Sequence, residues 1–555
     1  MKKFVIANLL VLPLFAQTPN AMVDRLLDRI VEREKTFLES AKRRTPVIET
    51  YIQEGPESAA AEERPTKDHY FLGRFRLGDS LAYEALIERS GAPQPKSGGW
   101  LSFHSGQKNR PMTFLPRGFA QMSVIDLQDF NRQTYSFEYV RREFLGEVRC
   151  LVFDVQPRNH AQAGKFIGRI WVEDRDNSIV RFNGTYAQAP AQKGATPERY
   201  FHFDSWRVNV GPAMWVPAQI YVEEEGIAGE GGNAGSPRFK AQTRIWDYAA
   251  APSNKLDELT SILIEGGSAV KDQEASKDVS PLESQRSWER QAEENLLARL
   301  EKAGLVAPPG PVDEVLNTVV NNLIVSANLN VEAHCRVMLT TPIETFSIGH
   351  TIVISRGLID VLPDEASLAM VIADELSHIA LGHRTQTQFA FNNQTMLSDA
   401  ELLQKFHFQR TPDEMLSAGK KTIEIMKASP YQKTANAGLF LKELASRGSA
   451  LPRLLQANLG NQFANADAVN RLAAFAASAP ALEENKIEQI AALPLGSRVK
   501  VNPWSNQIVL VKTRPISLLS AREKMPFEIT PFTLYLTRVE PAPVAGGAES
   551  AHVGR

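Results

Sequence analysis

Ile372-Ala-Asp-Glu-Leu-Ser-His-Ile-Ala-Leu-Gly-His383 is the stretch on which the reading of this chain turns. It has the form of an H-E-x-x-H helix with its first His replaced. In that pattern two His one helical turn apart bind zinc, and the Glu acts as general base. Here Asp374 takes the first position, Glu375 the second and His378 the last. Residues i and i+4 share a helix face, so Asp374 and His378 still point the same way. Zinc accepts carboxylate oxygen at about 2.0–2.2 Å, so Asp is a legitimate ligand. The apolar run Leu368 to Ala373 directly precedes Asp374 and places its carboxylate in the interior. A buried unpaired carboxylate costs roughly several kcal/mol. Asp374 therefore needs a partner: a metal, His378, or an Arg or Lys from elsewhere.

The surroundings read as a small α/β unit. Val312 to Ser326 is an amphipathic helix, with Val312, Val315, Leu316, Val319, Val320, Leu323 and Ile324 on one face. Cys335-Arg-Val-Met-Leu-Thr-Thr and His350-Thr-Ile-Val-Ile-Ser-Arg-Gly read as strands. Pro363-Asp364 opens the next helix, with Asp364 as its N-cap.

This ordered set resembles metallopeptidase family M-48, the HtpX, BepA and CAAX-prenyl-protease type. Thr351-Ile-Val-Ile-Ser-Arg-Gly-Leu-Ile is similar to that family's edge strand and the G-L-L after it. Pro363-Asp-Glu-Ala-Ser-Leu-Ala-Met-Val-Ile-Ala-Asp-Glu-Leu-Ser-His is similar to its E-x-E-L-A-x-V-L-A-H-E-x-x-H helix, and Glu344-Thr-Phe-Ser stands where the family has an Asn-Ala-Phe turn. The resemblance implies a zinc cofactor, with Asp374 and His378 as ligands and Glu375 as base. It implies that His383 stands behind the ligands. It also implies that Thr351, Ile352, Val353 and Ile354 form an edge strand that aligns extended polypeptide. The family's third ligand is a Glu in an E-x-x-x-D pattern followed by Gly. Aligning Gly419 puts Pro412 and Leu416 at those positions; a shift of two residues offers Glu414, with Ala418 in place of the Asp. The family's later His-Pro is absent, and Asn458-Leu-Gly-Asn stands nearby.

Upstream, residues 68–250 read as successive strands separated by turns, which argues for an antiparallel sheet. Phe137-Glu-Tyr-Val, Val148-Arg-Cys-Leu-Val-Phe, Lys165-Phe-Ile-Gly-Arg-Ile-Trp-Val and Met214-Trp-Val-Pro-Ala-Gln-Ile-Tyr-Val carry the pattern. The order is faintly similar to the half-barrel of lipoprotein carriers such as LolA. Met22 to Leu38 has apolar residues at helical spacing. Ser497-Arg-Val-Lys-Val, Gln507-Ile-Val-Leu-Val-Lys and Phe532-Thr-Leu-Tyr-Leu read as three late strands.

The fold class expected is α+β: an N-terminal antiparallel β-rich domain, a central, mainly helical zincin-like peptidase domain, and a small C-terminal β-containing region. The expected divisions are a signal peptide at 1–21, a helical and linking segment at 22–67, and the β-rich domain at 68–250. A linker at 251–295, the peptidase-like domain at 296–480, the C-terminal region at 481–540 and a disordered tail at 541–555 follow. At 555 residues, two to four domains are expected. Lys2-Lys3, the apolar run Phe4 to Phe15, and Ala16 or Ala21 as cleavage sites read as an export signal. Its apolar core is short for a membrane span, and no later segment has the required length. A net charge of −2 excludes general affinity for nucleic acid or anionic membrane. The two cysteines, Cys150 and Cys335, exclude a disulfide framework and a Cys-type zinc site.

Three functions are consistent with these residues. One is an exported zinc metallopeptidase with altered ligands. A second is a pseudopeptidase that binds extended polypeptide clients, with envelope proteins as partners. A third makes the N-terminal sheet a carrier of apolar ligands.

Overall fold

The computed structural model describes residues 19–56, 64–78, 80–87, 114–159, 163–187, 200–225, 238–249, 281–387 and 390. It further describes 401–539 apart from 402, 433–435, 464–471, 484, 490–492, 513–518, 522–523 and 525–526. The expected signal sequence up to residue 18, the linker at 251–280 and the tail from 540 lie outside the described residues. The fold is α+β, with a large antiparallel sheet, a mainly helical region and a small C-terminal sheet.

Helix α1 (Pro19–Ala41) leads into β1 (Val47–Glu54), β2 (Lys67–Leu77) and β3 (Leu81–Ala85). Short α2 (Pro116–Gln121) precedes a meander of β4 (Tyr135–Leu145), β5 (Val148–Pro157), β6 (Phe166–Glu173), β7 (Ile179–Tyr186), β8 (Phe203–Gly211), β9 (Met214–Glu224) and β10 (Phe239–Trp246). All ten strands form one sheet, ordered β3-β2-β1-β10-β9-β8-β7-β6-β5-β4. β1 closes the gap between the two meanders and pairs antiparallel with both β2 and β10.

One face of the sheet is filled by α1 and α2. Leu27, Ile30, Leu38 and Ala41 of α1 pack with Ile48, Ile52, Phe166, Phe182 and Phe203 in one apolar cluster. Helical spacing of those α1 residues makes this face continuous. Glu34 of α1 is fully buried, and Arg207 of β8 donates to both its oxygens at 2.6 and 2.7 Å. A bidentate pair of this kind fixes the helix in register as well as in place. Protein side chains thus fill the face on which an apolar cargo would sit.

The opposite face is shared. Val47, Tyr51, Tyr70, Leu72 and Trp246 belong to the same apolar cluster as the helical region. β1 is buried on both sides for this reason. The junction is also polar. Glu49 of β1 accepts from the Arg356 guanidinium at 2.8 Å, from Thr341 N and Oγ1 at 2.6 and 2.7 Å, and from Tyr70 at 2.9 Å. Asp68 accepts from the backbone N–H groups of Arg453 and Leu454.

The helical region starts at α3 (Pro281–Lys302). Residues 281–295, expected as linker, are therefore helical, and Ala292 and Leu296 are fully buried. The heavily charged remainder of α3 masks its one apolar stripe in the sequence. Then come α4 (Pro311–Ser326), β11 (His334–Met338), β12 (Thr345–Ile348), β13 (Thr351–Ser355), α5 (Arg356–Val361) and α6 (Glu365–Ala380). They are followed by α7 (Pro412–Ala428), α8 (Asn436–Arg447), α9 (Pro452–Leu455) and α10 (Ala473–Ser478). The three strands are ordered β11-β13-β12.

A two-stranded ladder, β14 (Val499–Val501) and β15 (Ile508–Leu510), ends the regular structure. The expected third strand around Phe532 is extended but joins no sheet. It runs as a strap over the large sheet: Ile529 N donates to Gln53, Glu147 N donates to Leu536 O, and Arg538 pairs with buried Glu173. Its alternating Phe532, Leu534 and Leu536 meet Trp171, Trp206 and Trp215. Alternation recorded one buried face, and the face is buried by side-chain packing rather than by a ladder.

Candidate functional site

The site is built on α6. Asp364 caps it as expected, its Oδ1 accepting from Ser367 N at 2.9 Å. Asp374, Glu375 and His378 lie one helical turn apart or less, and all three are 0% exposed. The apolar run Leu368 to Ala373 inserts α6 between α4, α7 and the small sheet. This forces the polar residues after it into the interior.

Each polar residue meets a hydroxyl or a ring from a different element. Thr422 Oγ1 of α7 lies 3.2 Å from Asp374 Oδ1 and 2.8 Å from Ala418 O, its one proton shared between them. Ser377 Oγ is 3.1 Å from the same Thr422 hydroxyl and 2.7 Å from Ala373 O. Thr345 of β12 donates to Glu375 Oε1 at 2.9 Å. His378 Nδ1 lies 2.8 Å from His383 Nδ1, so one ring donates and the other accepts. With Nδ1 engaged, any metal would have to meet His378 through Nε2.

Glu414, the residue offered for the third ligand, caps α7. Its Oε2 accepts from Thr411 N at 2.9 Å and Thr411 Oγ1 at 3.0 Å, while Thr411 Oγ1 accepts from Glu414 N. This reciprocal pair is a capping box. Partial burial alone would raise the Glu414 carboxyl, but the Thr411 bonds and the charges of Arg410 and His383 hold it below its ordinary value. Burial pushes His383 below its ordinary value, and Arg410 pushes the same way against Glu414. His383 Nε2 is 3.5 Å from Ser417 Oγ, so it bridges α6 and α7 behind His378.

Among the described residues, no three His, Cys, Asp or Glu side chains converge as a metal would need. Among the described residues, the donors Asp374 and His378, with Glu414 Oε2 engaged in the cap of α7, do not make up a tetrahedral zinc centre.

The expected edge strand is corrected. Thr351, Ile352, Val353 and Ile354 lie in β13, which is central, pairing parallel with β11 and antiparallel with β12. Both rows of its backbone groups are used, so no further strand can add to it. The outer strand on the side of the site is β12. The resemblance implies an edge position for β13 because it takes Glu344-Thr-Phe-Ser as a turn, whereas Thr345–Ile348 is a strand outside it.

Residues 312–442 match Peptidase family M48, less than a quarter of the chain. No curated protein matches. Among solved structures the chain is similar to a DUF1329 family protein from Desulfovibrio piger, at 12% identity and a TM-score of 0.23, over 42% of this chain and 98% of that one. It is also similar to the MucA/MucB complex of Pseudomonas aeruginosa, at 11% identity and a TM-score of 0.15, over 40% of this chain and 94% of that one. Among the described residues, no helix is long and apolar enough to cross a membrane.

The sequence reading assigns no role to Thr345, Ser377, Thr422, Arg410 or Asn461. Thr345, Ser377 and Asn461 stand inside segments compared with the peptidase family, while Thr422 and Arg410 are ordinary polar residues in a helix and a loop.

Proposed function

We propose that this chain is an exported protein of peptidase fold that engages extended polypeptide along β12 and does not cleave it by zinc-dependent hydrolysis. The fold part rests on the family match over 312–442. The export part rests on the Lys2-Lys3 and Phe4 to Phe15 pattern. The observation that carries the polypeptide part lies at β12. Its outer edge accepts an antiparallel backbone, with Asn461 N donating to Thr345 O at 3.1 Å, beside Glu375. Backbone pairing of this kind binds extended chains with little regard to sequence. Loss of hydrolysis rests on the donor set, in which Asp374 has Thr422 as a neighbour and Glu414 is a cap.

A second reading, metal-dependent hydrolysis, is favoured by one feature. His383 links His378 to the start of α7, where Glu414 sits. One experiment separates the two. Zinc content is measured after chelator stripping and reloading, in the wild type, Asp374→Ala and His378→Ala, beside casein cleavage by the wild type and Glu375→Gln. The proposal expects far less than one zinc per chain and no cleavage above the Glu375→Gln background. About one zinc per chain, lost in both ligand variants, with cleavage lost in Glu375→Gln, would replace it by the second reading.

A further inference from the structure

The large sheet carries an apolar face that the β12 reading does not use. Along β5 to β9, Cys150, Val152, Trp171, Val180, Trp206 and Trp215 point away from α1 and form one cluster. Residues of the sheet itself hold this face. The Arg181 guanidinium lies between Trp171 and Trp206, 4.3 Å from each ring centroid. Asp204 accepts from Arg181 at 2.8 and 2.9 Å and from Trp206 Nε1 at 2.9 Å, and Glu143 accepts from Trp171 Nε1 at 3.1 Å. All of these groups belong to β4, β6, β7 or β8. The rings are therefore set in place without help from whatever covers them.

What covers them is the strap. Phe532, Leu534 and Leu536 point inward at alternate positions, while Thr533, Tyr535 and Thr537 are exposed. Two positions further on, Arg538 Nε donates to the buried Glu173 at 3.1 Å, and its guanidinium lies 3.5 Å from Asp174. The strap backbone is tied at Leu536 O, which accepts from Glu147 N at 2.9 Å, and at Val539 N, which donates to Asn209 Oδ1 at 2.7 Å. The fit is incomplete. Trp215 Nε1 is buried and has no hydrogen-bond partner among the described residues.

We propose that the tryptophan face is a binding groove for an extended segment of a partner protein, with apolar side chains at three alternate positions and an Arg or Lys two positions further on. The strap is the chain's own occupant of that groove. The proposal does not depend on the β12 reading. The apolar spacing follows from the alternation of side chains along an extended chain lying on the rings. Glu173 and Asp174 stand at one end, so they select a cation there and fix the direction of the segment. Trp and Arg are the residue types that most often dominate such contacts. A partner that brings a carbonyl oxygen to Trp215 Nε1 makes a bond that the strap does not. A tethered occupant acts at about millimolar effective concentration, so a free segment enters readily only when the strap is loosened.

The test uses the full chain and a fluorescein-labelled peptide with the sequence of Ile529 to Val539. Leu536→Asp puts a charge into the apolar cluster and loosens the strap while leaving the groove residues unchanged. This variant should bind the peptide about tenfold more tightly than the wild type, because the competent fraction rises. A peptide with Glu in place of its Arg should bind the variant about tenfold more weakly than the first peptide. Amide exchange of the strap should be faster in the variant, with the protection of β6 to β8 unchanged. If Leu536→Asp loses the sheet, Arg538→Glu, which sets an acid against Glu173, takes its place. Equal binding by the wild type and the released variant, or a strap equally protected in both, would overturn the groove. Loss of the sheet in both variants would make the strap part of the sheet's core and overturn it too. A wild type that dimerises with rising concentration, the dimer being lost in Leu536→Asp, would give the groove to the strap of a second copy and overturn the partner.

Discussion

The Thr422 hydroxyl of α7 lies 3.2 Å from the Asp374 carboxylate of α6 and also meets Ser377 at 3.1 Å. Protein groups thus tie together two helices at the place where the resemblance expects a metal to tie them. Thr422→Val keeps the shape and removes the hydroxyl from two fully buried neighbours. A loss of about 1–3 kcal/mol is expected for a buried hydrogen-bond group of this kind. Urea unfolding measures it, and a midpoint equal to the wild type would show that the hydroxyl holds nothing.

The junction between the large sheet and the helical region depends on Glu49 and Arg356, each 1% exposed in its side chain. Replacing Arg356 by Met leaves Glu49 buried with its Thr341 and Tyr70 donors but without its countercharge. Breaking one side of a buried pair costs about 3–5 kcal/mol. The double variant Glu49→Gln/Arg356→Met should recover part of that loss. If it is as unstable as the sum of the single variants, the two charges are not coupled.

A pH profile is expected for Lys165, which donates to Asp126 at 2.8 Å and Asp129 at 2.9 Å. Burial opposes the charged form of Asp126, but the Lys165 bond and further donors win and hold it below its ordinary 3.8. Burial likewise opposes the charge on Lys165, and the two carboxylates raise it above its ordinary 10.5. A depressed acid stabilises above its unfolded value, and the gain is lost as pH falls through the folded one. A raised base stabilises below its unfolded value, and that gain is lost as pH rises through the folded one. The stability difference between the wild type and Lys165→Met should be flat near neutrality and shrink both below 3.8 and above 10.5. A difference that stayed constant down to strong acid would contradict this.

The C-terminal strap makes a chemical prediction. Cys150 and Cys335 are both buried as free thiols, in separate clusters. Burial pushes the Cys150 thiol up to about 12. In the intact chain neither thiol should react with a disulfide reagent without denaturant. Ending the chain after Glu528 removes Leu536 from the cluster holding Cys150, Trp171, Trp206 and Trp215. One thiol should then become reactive and tryptophan emission should shift to the red. An unreactive, unshifted truncated protein would show that the strap does not seal that face.

Much of this was legible beforehand because it is periodic. The strands β4, β5, β6 and β9 and the helices α4 and α6 are visible as strand patterns or helical and apolar runs, and Asp364 announces its cap. The strap reads as a strand because alternation reports a buried face and not what buries it. Residues 281–295 read as a linker because a long helix can sink one narrow stripe while its other faces stay charged. The central place of β13 is not legible because neighbours in a sheet are not written in the strand itself.

The sequence by itself determined that Asp374, Glu375 and His378 share one buried helix, since an apolar run and a turn of 3.6 residues are local properties. Only the tertiary structure decided what each of them touches. Thr422 stands 48 positions from Asp374, Thr345 stands 30 from Glu375, and the segment that covers β12 comes from beyond residue 457. A buried polar group must find a partner, but its own neighbourhood in the chain does not say whether that partner is a metal or a hydroxyl. Packing of distant elements brings the Thr422 and Thr345 hydroxyls to Asp374 and Glu375.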